Sequence, residues 1–255
     1  FMDIDVSARA CIPTVGSVAG SFGAFIACCQ REEKKNKVLF IDPGFPIQKS
    51  QLRVIGAEWV EFDIYQYRGT ALKNKLEEIL KDGDIVSVDT CILLDGFHSD
   101  SAYTFPVGEV KPETLQLMKT TKEALYKGIE EAQTGHRLGD IGFAIQNHCE
   151  KAGYSVIREF VGHGIGKEMH EAPEVCNYGR RGNGIVLKSG MTLAIEPMIA
   201  LGKRNILIEE DGWTARMIDR KPAAHYELSV CVRDGKADIL STFEYIKQVL
   251  GEHYI

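Results

Sequence analysis

Apolar positions recur along the chain in two rhythms, and the rhythm changes near Leu80. Before it, short apolar runs alternate with polar breaks. Gly16-Ser17-Val18-Ala19-Gly20-Ser21 opens an apolar run that suits a helix, and residues 31–37 form a solvated charge cluster. Val38-Leu39-Phe40-Ile41-Asp42 reads as a strand closed by Pro43-Gly44, and Glu58-Trp59-Val60-Glu61-Phe62-Asp63 alternates as a second strand. Leu72, Leu76, Ile79 and Leu80 share one face of an expected helix over 72–80. This first part reads as α/β.

After Lys81 the apolar runs lengthen. Ile85–Asp89 and Cys91–Leu94 read as one long strand or a bent pair, followed by a turn at Asp95-Gly96. Pro112 suits a first helical turn, and Leu115, Met118, Leu125 and Ile129 mark one face of a helix reaching about Ala132. A second helix is expected from Asp140, read as its N-cap, to Gly153. Strands are expected at Ser155–Arg158, Met191–Glu196, Asn205–Ile208 and His225–Val232. Two central helices with an antiparallel sheet give an α+β class for residues 81–255. The expected division is 1–80 and 81–255.

Composition narrows the function. The chain has 255 residues, enough for a substantial core, and 30 basic against 36 acidic side chains leave a net charge of −6. That balance argues against a nucleic-acid partner bound through bulk positive charge. No apolar run approaches the roughly 18–20 residues that cross a bilayer, so no membrane partner is expected. Phe1-Met2-Asp3-Ile4-Asp5 lacks a basic leader pattern. Seven cysteines without a CxxC pair read as reduced thiols of a cytoplasmic protein.

Five residues stand out as candidate metal ligands. Asp89 ends an apolar strand, and Asp100 follows eleven residues later across the turn. His163 sits within Gly162-His163-Gly164-Ile165-Gly166, where glycines permit close backbone approach. Glu196 closes Met191–Ile195, and Glu227 lies inside an apolar strand. A carboxylate in an apolar strand is costly without a counter-charge, and a divalent cation supplies one. Four carboxylates and one imidazole suit Mn, Fe, Co or Zn as a pair of ions. Each residue alone has a plainer reading: the aspartates as turn formers, and Glu227 as an edge residue. His148 reads as a core or boundary residue. His98, His136, His225 and His253 read as surface or loop.

From about Lys81 to Leu250 the chain resembles type I methionine aminopeptidases. The resemblance is carried by residues 82–89, Asp95-Gly96-Phe97-His98-Ser99-Asp100, 162–166, His170-Glu171-Ala172-Pro173, 191–198 and Asp211-Gly212-Trp213-Thr214. It implies a pita-bread (creatinase/aminopeptidase-like) fold. It also implies removal of N-terminal methionine from nascent polypeptides by a hydroxide shared between two divalent metal ions. Carried over by position, the ligands are Asp89, Asp100, His163, Glu196 and Glu227, with Asp100 and Glu227 bridging. Glu196 also transfers protons, His170 contacts the substrate near the scissile bond, and Trp213 and Met169 line the methionine pocket. The implied partner is the nascent chain at the ribosome, and the implied state is a monomer. A further substrate histidine is expected earlier in such a chain, yet no His precedes His98.

Residues 1–80 instead resemble a fragment of a fold-type I pyridoxal-phosphate aminotransferase. That resemblance rests on 13–21, 38–46 and 56–63, with Gly20 and Ser21 at the phosphate turn. The fragment lacks the Schiff-base lysine and the pyridine-pairing aspartate. Three functions follow in order: a methionine aminopeptidase, a metal-binding pita-bread module or fusion fragment without turnover, and a pyridoxal-phosphate enzyme.

Overall fold

The computed structural model describes the strand residues 37–42 and 58–63, Asn74, residues 80–208 and residues 215–255. The chain divides into two compact units, 1–80 with 207–216, and 81–206 with 217–255. In the first unit, β1 (Lys37–Asp42) and β2 (Glu58–Asp63) pair in parallel, as an α/β pattern requires. The phosphate turn at Gly20 and Ser21 lies outside the described residues, as does most of the 72–80 helix.

The second unit opens with β3 (Ile85–Leu94) and β4 (Phe97–Pro106). The strand is continuous over its ten residues, with no bend at Thr90. The two form a hairpin whose loop is Asp95-Gly96, both left-handed at φ 51° and 81°. That is the Asp-Gly sequence a two-residue loop of matching twist demands.

Two helices follow. In α1 (Pro112–Glu130), Pro112 fills the first turn, Glu113 faces the positive end of the dipole and Lys127 the negative end. The second helix, α2 (Leu138–Lys151), corrects the sequence reading of its start. Arg137, not Asp140, is the N-cap. Asp140 lies inside the first turn, and its carboxylate accepts the Arg137 backbone N–H at 2.7 Å and the Gly182 N–H at 2.7 Å. An acidic side chain at the third helical position reaches back to the N-cap N–H in this way.

Short strands complete the unit: β5 (Ser155–Val156), β6 (Gly162–Gly164), β7 (Glu171–Val175), β8 (Thr192–Ile195), β9 (Met198–Ala200), β12 (Ala223–His225), β13 (Glu227–Cys231) and β14 (Asp238–Ile239), while β10 (Ile206–Ile208) and β11 (Ala215–Met217) pair with each other and fall mostly in the first unit. A short helix, α3 (Glu244–Leu250), comes last. The strand expected over His225–Val232 is split at Tyr226, which is fully buried and donates its hydroxyl to the Thr104 carbonyl at 3.1 Å.

The main sheet runs β3-β4-β13-β8-β6-β7 with β14 beside β13, and its pairs are antiparallel. A smaller antiparallel sheet runs β12-β9-β5. Leu117, Met118, Leu125 and Ile129 of α1 and Ile141 and Ile145 of α2 share one buried core with Leu193, Ile195, Leu228 and Val230 of the sheet. This α+β arrangement agrees with the expected class. At the sheet edge, β3 leaves Ile92, Leu93 and Leu94 exposed, as is Phe97 of β4.

Candidate metal centre

Strand register brings the five candidate ligands to one face. In the hairpin Asp89 stands opposite Ala102 and Asp100 opposite Cys91. Residues two apart on a strand share a face, so Asp89 and Asp100 are diagonal neighbours. The eleven-residue spacing across a two-residue loop produces this geometry. Glu227 also stands opposite Ala102, from the other side of β4. Leu228 pairs with Ile195, so one step further sets Glu227 across from Glu196. His163 pairs with Ala194, two residues before Glu196. All five therefore project from the same face, across β3, β4, β13, β8 and β6. Neither aspartate is a turn former, and Glu227 is a central residue, 1% exposed.

The glycines around His163 have a physical reason. A Cβ on Gly162 would collide with the Ala194 carbonyl, and one on Gly164 with the Ala172 carbonyl. Only glycine lets β6 lie this close to its neighbours. The His163 Nδ1 lies 2.9 Å from the Gly164 carbonyl. A carbonyl only accepts, so Nδ1 carries the proton and Nε2 offers its lone pair toward Glu196 Oε1, 3.5 Å away. Asp100 is fixed by its backbone, which exchanges hydrogen bonds with the Ser229 hydroxyl at 2.9 and 2.8 Å. Asn177 donates to the Glu196 carbonyl at 3.0 Å, and Ser101 to the Glu227 carbonyl at 3.2 Å.

Two groups of donor atoms, each mutually within 4.8 Å, overlap at one carboxylate: Asp100, His163 and Glu227, and Glu196, His225 and Glu227. His225, read from the sequence as surface or loop, is instead part of the centre. Its Nε2 is 3.6 Å from Glu196 Oε2 and 4.0 Å from Glu227 Oε2. The sequence carried a signal for it: His225 and Glu227 are two apart on extended chain and so turn to one side. His98 is also partly buried rather than a surface residue.

The electrostatics call for a cation. Burial, then the Asp89 and Asp100 charges, pushes the Glu196 carboxyl up to about 8. Burial, then Glu196, Asp100 and Asp89, pushes Glu227 up to about 10. Desolvation and the Asp100 charge raise Asp89 to about 6, although much of that residue lies at the exposed sheet edge. Both histidines shift the other way through burial, His225 down to about 4. Neutral imidazoles leave the carboxylates without a counter-charge. The Glu227 Oε1 and His225 Nε2 atoms are closed off from solvent and have no hydrogen-bond partner among the described residues. Oxygen-rich donors, neutral imidazole nitrogens and orphaned buried atoms fit divalent metal ions.

The remaining sequence candidates lie around this face or outside the described residues. The His170 ring stands 4.4 Å from that of His163, edge to face. Met169 beside it is 37% exposed. Trp213 lies outside the described residues.

Residues 63–234 match the model of metallopeptidase family M24. The chain is 48% identical over 166 residues to the methionine aminopeptidase of Clostridium acetobutylicum, an alignment that spans 65% of this chain and 66% of that protein. The crystal structure of methionine aminopeptidase from Rickettsia prowazekii matches with a TM-score of 0.62 and 42% identity, over 63% of this chain and 65% of that one. The crystal structure of methionine aminopeptidase from Thermotoga maritima matches with a TM-score of 0.62 and 33% identity, over 87% of this chain and 93% of that one. The chain thus spans just under two thirds of the first of these relatives. These matches support the pita-bread fold and lend none to the aminotransferase reading of residues 1–80. The family match already begins at residue 63, within that segment.

Proposed function

Because the chain belongs to metallopeptidase family M24, we propose that it removes N-terminal methionine from polypeptides, using two divalent metal ions. The observation that carries this reading is the pair of donor groups overlapping at Glu227. A carboxylate common to two groups is the arrangement a bridged pair of ions needs. Asp89, Asp100, His163, Glu196 and Glu227 would hold the pair. Bound there, such ions polarise a peptide carbonyl and acidify water.

The protein's own groups do the rest. Glu196 takes a proton from the attacking water at a carboxylate oxygen and passes it to the departing amine. His170, edge-on to His163, holds the substrate beside the scissile bond. Met169 supplies an apolar wall for the methionine side chain. The proposed ions are Co, Mn, Fe or Zn. The proposed setting is a monomer acting on nascent chains at the ribosome, in the cytoplasm. The free thiols Cys91, Cys149, Cys176 and Cys231 support a reducing compartment, and no described helix is long and apolar enough to cross a membrane. We assign the hydrolytic function to residues 81–255 and leave residues 1–80 as a separate unit.

The test is release of methionine from Met-Gly-Gly and from its N-acetylated form. The reading expects release from the free amine alone. Equal cleavage of both, or cleavage at the second bond, contradicts it. A second reading, metal binding without turnover, is favoured by the exposed apolar row Ile92, Leu93, Leu94 and Phe97. Bound metal with no release from either peptide selects it.

A further inference from the structure

The sequence motifs account for five ligands, and one group at the centre remains unused. His225 is a second imidazole on the same site. Its side chain is 17% exposed, and its Nε2 is closed off from solvent without a hydrogen-bond partner among the described residues. The distances from Nε2 are 3.6 Å to Glu196 Oε2 and 4.0 Å to Glu227 Oε2. Both are too long for a hydrogen bond. They suit donors that share an ion. Atoms about 2.1 Å from one cation stand about 3.0 Å apart when adjacent on an octahedron and about 4.2 Å apart when opposite. His163 and Glu196 show the same kind of spacing, 3.5 Å, from the other oxygen of the same carboxylate. Glu196 therefore presents one oxygen to each imidazole.

The backbone holds His225 in place. Its N–H donates to the Thr104 hydroxyl at 3.0 Å, and that hydroxyl donates to its carbonyl at 2.6 Å. The next residue, Tyr226, is anchored in the core. A polar atom closed off from solvent on a residue held this firmly, and left unpaired, needs a partner.

We propose that His225 is a sixth protein ligand, coordinating through Nε2 the ion held by Glu196 and Glu227. This rests on the metal-centre reading above and extends it, giving the centre two imidazoles. A second neutral nitrogen shifts its preference toward the nitrogen-seeking metals Co, Ni and Zn over Mn.

The full chain loaded with Co(II) tests this. Each coordinated imidazole with a protonated second nitrogen gives one exchangeable, strongly shifted N–H proton resonance in the paramagnetic protein. The expectation is two such resonances, one of them lost in His225→Gln, with Co(II) affinity for one ion weakened about tenfold or more. One resonance in the wild-type protein, or an unchanged count and unchanged affinity in His225→Gln, overturns the assignment. Asp100→Ala separates the two readings. If it loses Co(II) while His225→Gln does not, the centre stands and only the sixth ligand fails. If the wild-type protein itself takes up no Co(II), the centre fails as well. The wild-type resonance count decides even if His225→Gln does not fold.

Discussion

Glu227 sits at the centre of the account because a carboxylate in the middle of a sheet has no reason to be there without a cation. The expected outcome of Glu227→Ala or Asp100→Ala is loss of tight metal binding, read by metal counting after gel filtration. Unchanged stoichiometry in either variant contradicts the ligand assignment. The raised carboxyls add a pH dependence. Near pH 6.5 the metal-free protein holds protons on Glu196 and Glu227 that a bound ion must displace. Metal binding should therefore release protons and tighten as pH rises from 6.5 to 8. Calorimetry in buffers of different ionisation heat measures this, and binding that is pH-independent and releases no protons would be the contrary result. At this scale the sequence was legible where a charged residue interrupted an apolar run. Asp89, Glu196 and Glu227 announced themselves in that way. His225 did not, because a histidine beside a tyrosine at a strand end has no such contrast with its surroundings.

Elements place those residues, and the placement follows from register. The Asp95-Gly96 loop fixes Asp89 and Asp100 as diagonal neighbours, and this local pairing was readable from the turn. The pairings of β13 with β4 and β8 were not, since more than a hundred residues separate β4 from β13 and nothing local encodes their alignment. The start of α2 was misplaced for a related reason. Asp140 looks like an N-cap by type, and only the hydrogen bond from Arg137 shows that it caps from inside. Two substitutions test this level. Gly164→Ala drives a Cβ into the Ala172 carbonyl and should cost about 1–3 kcal/mol by thermal or urea unfolding, with weaker metal binding as His163 shifts. A neutral result would mean β6 is not held as closely as described. Asp140→Ala should cost about 1 kcal/mol and leave metal binding unchanged.

At the level of the whole molecule, residues 1–80 group with 207–216 and residues 81–206 with 217–255, a grouping that no periodicity could reveal. Stability of the whole chain should also respond to the centre. At pH 6.5, the ordinary histidine value, each of the two histidines is neutral when folded and about half protonated when unfolded, so together they take up at most about one proton on unfolding, and almost none by pH 8. The raised carboxyls still bind protons in the native state that the unfolded chain has released. Metal-free stability should therefore fall as pH rises from 6.5 to 8, and metal should abolish the fall. Thermal melts with and without Co(II) across that range check the sign, and a rise in the metal-free protein contradicts it. The most direct test of the central claim is methionine release from a Met-Gly tripeptide by the metal-stripped chain, before and after two equivalents of Co(II) or Mn(II) are restored, with bound metal counted on the same sample. The account predicts no release when stripped and recovery that tracks bound metal. Release that persists in the stripped protein, or none with two ions bound, would contradict it.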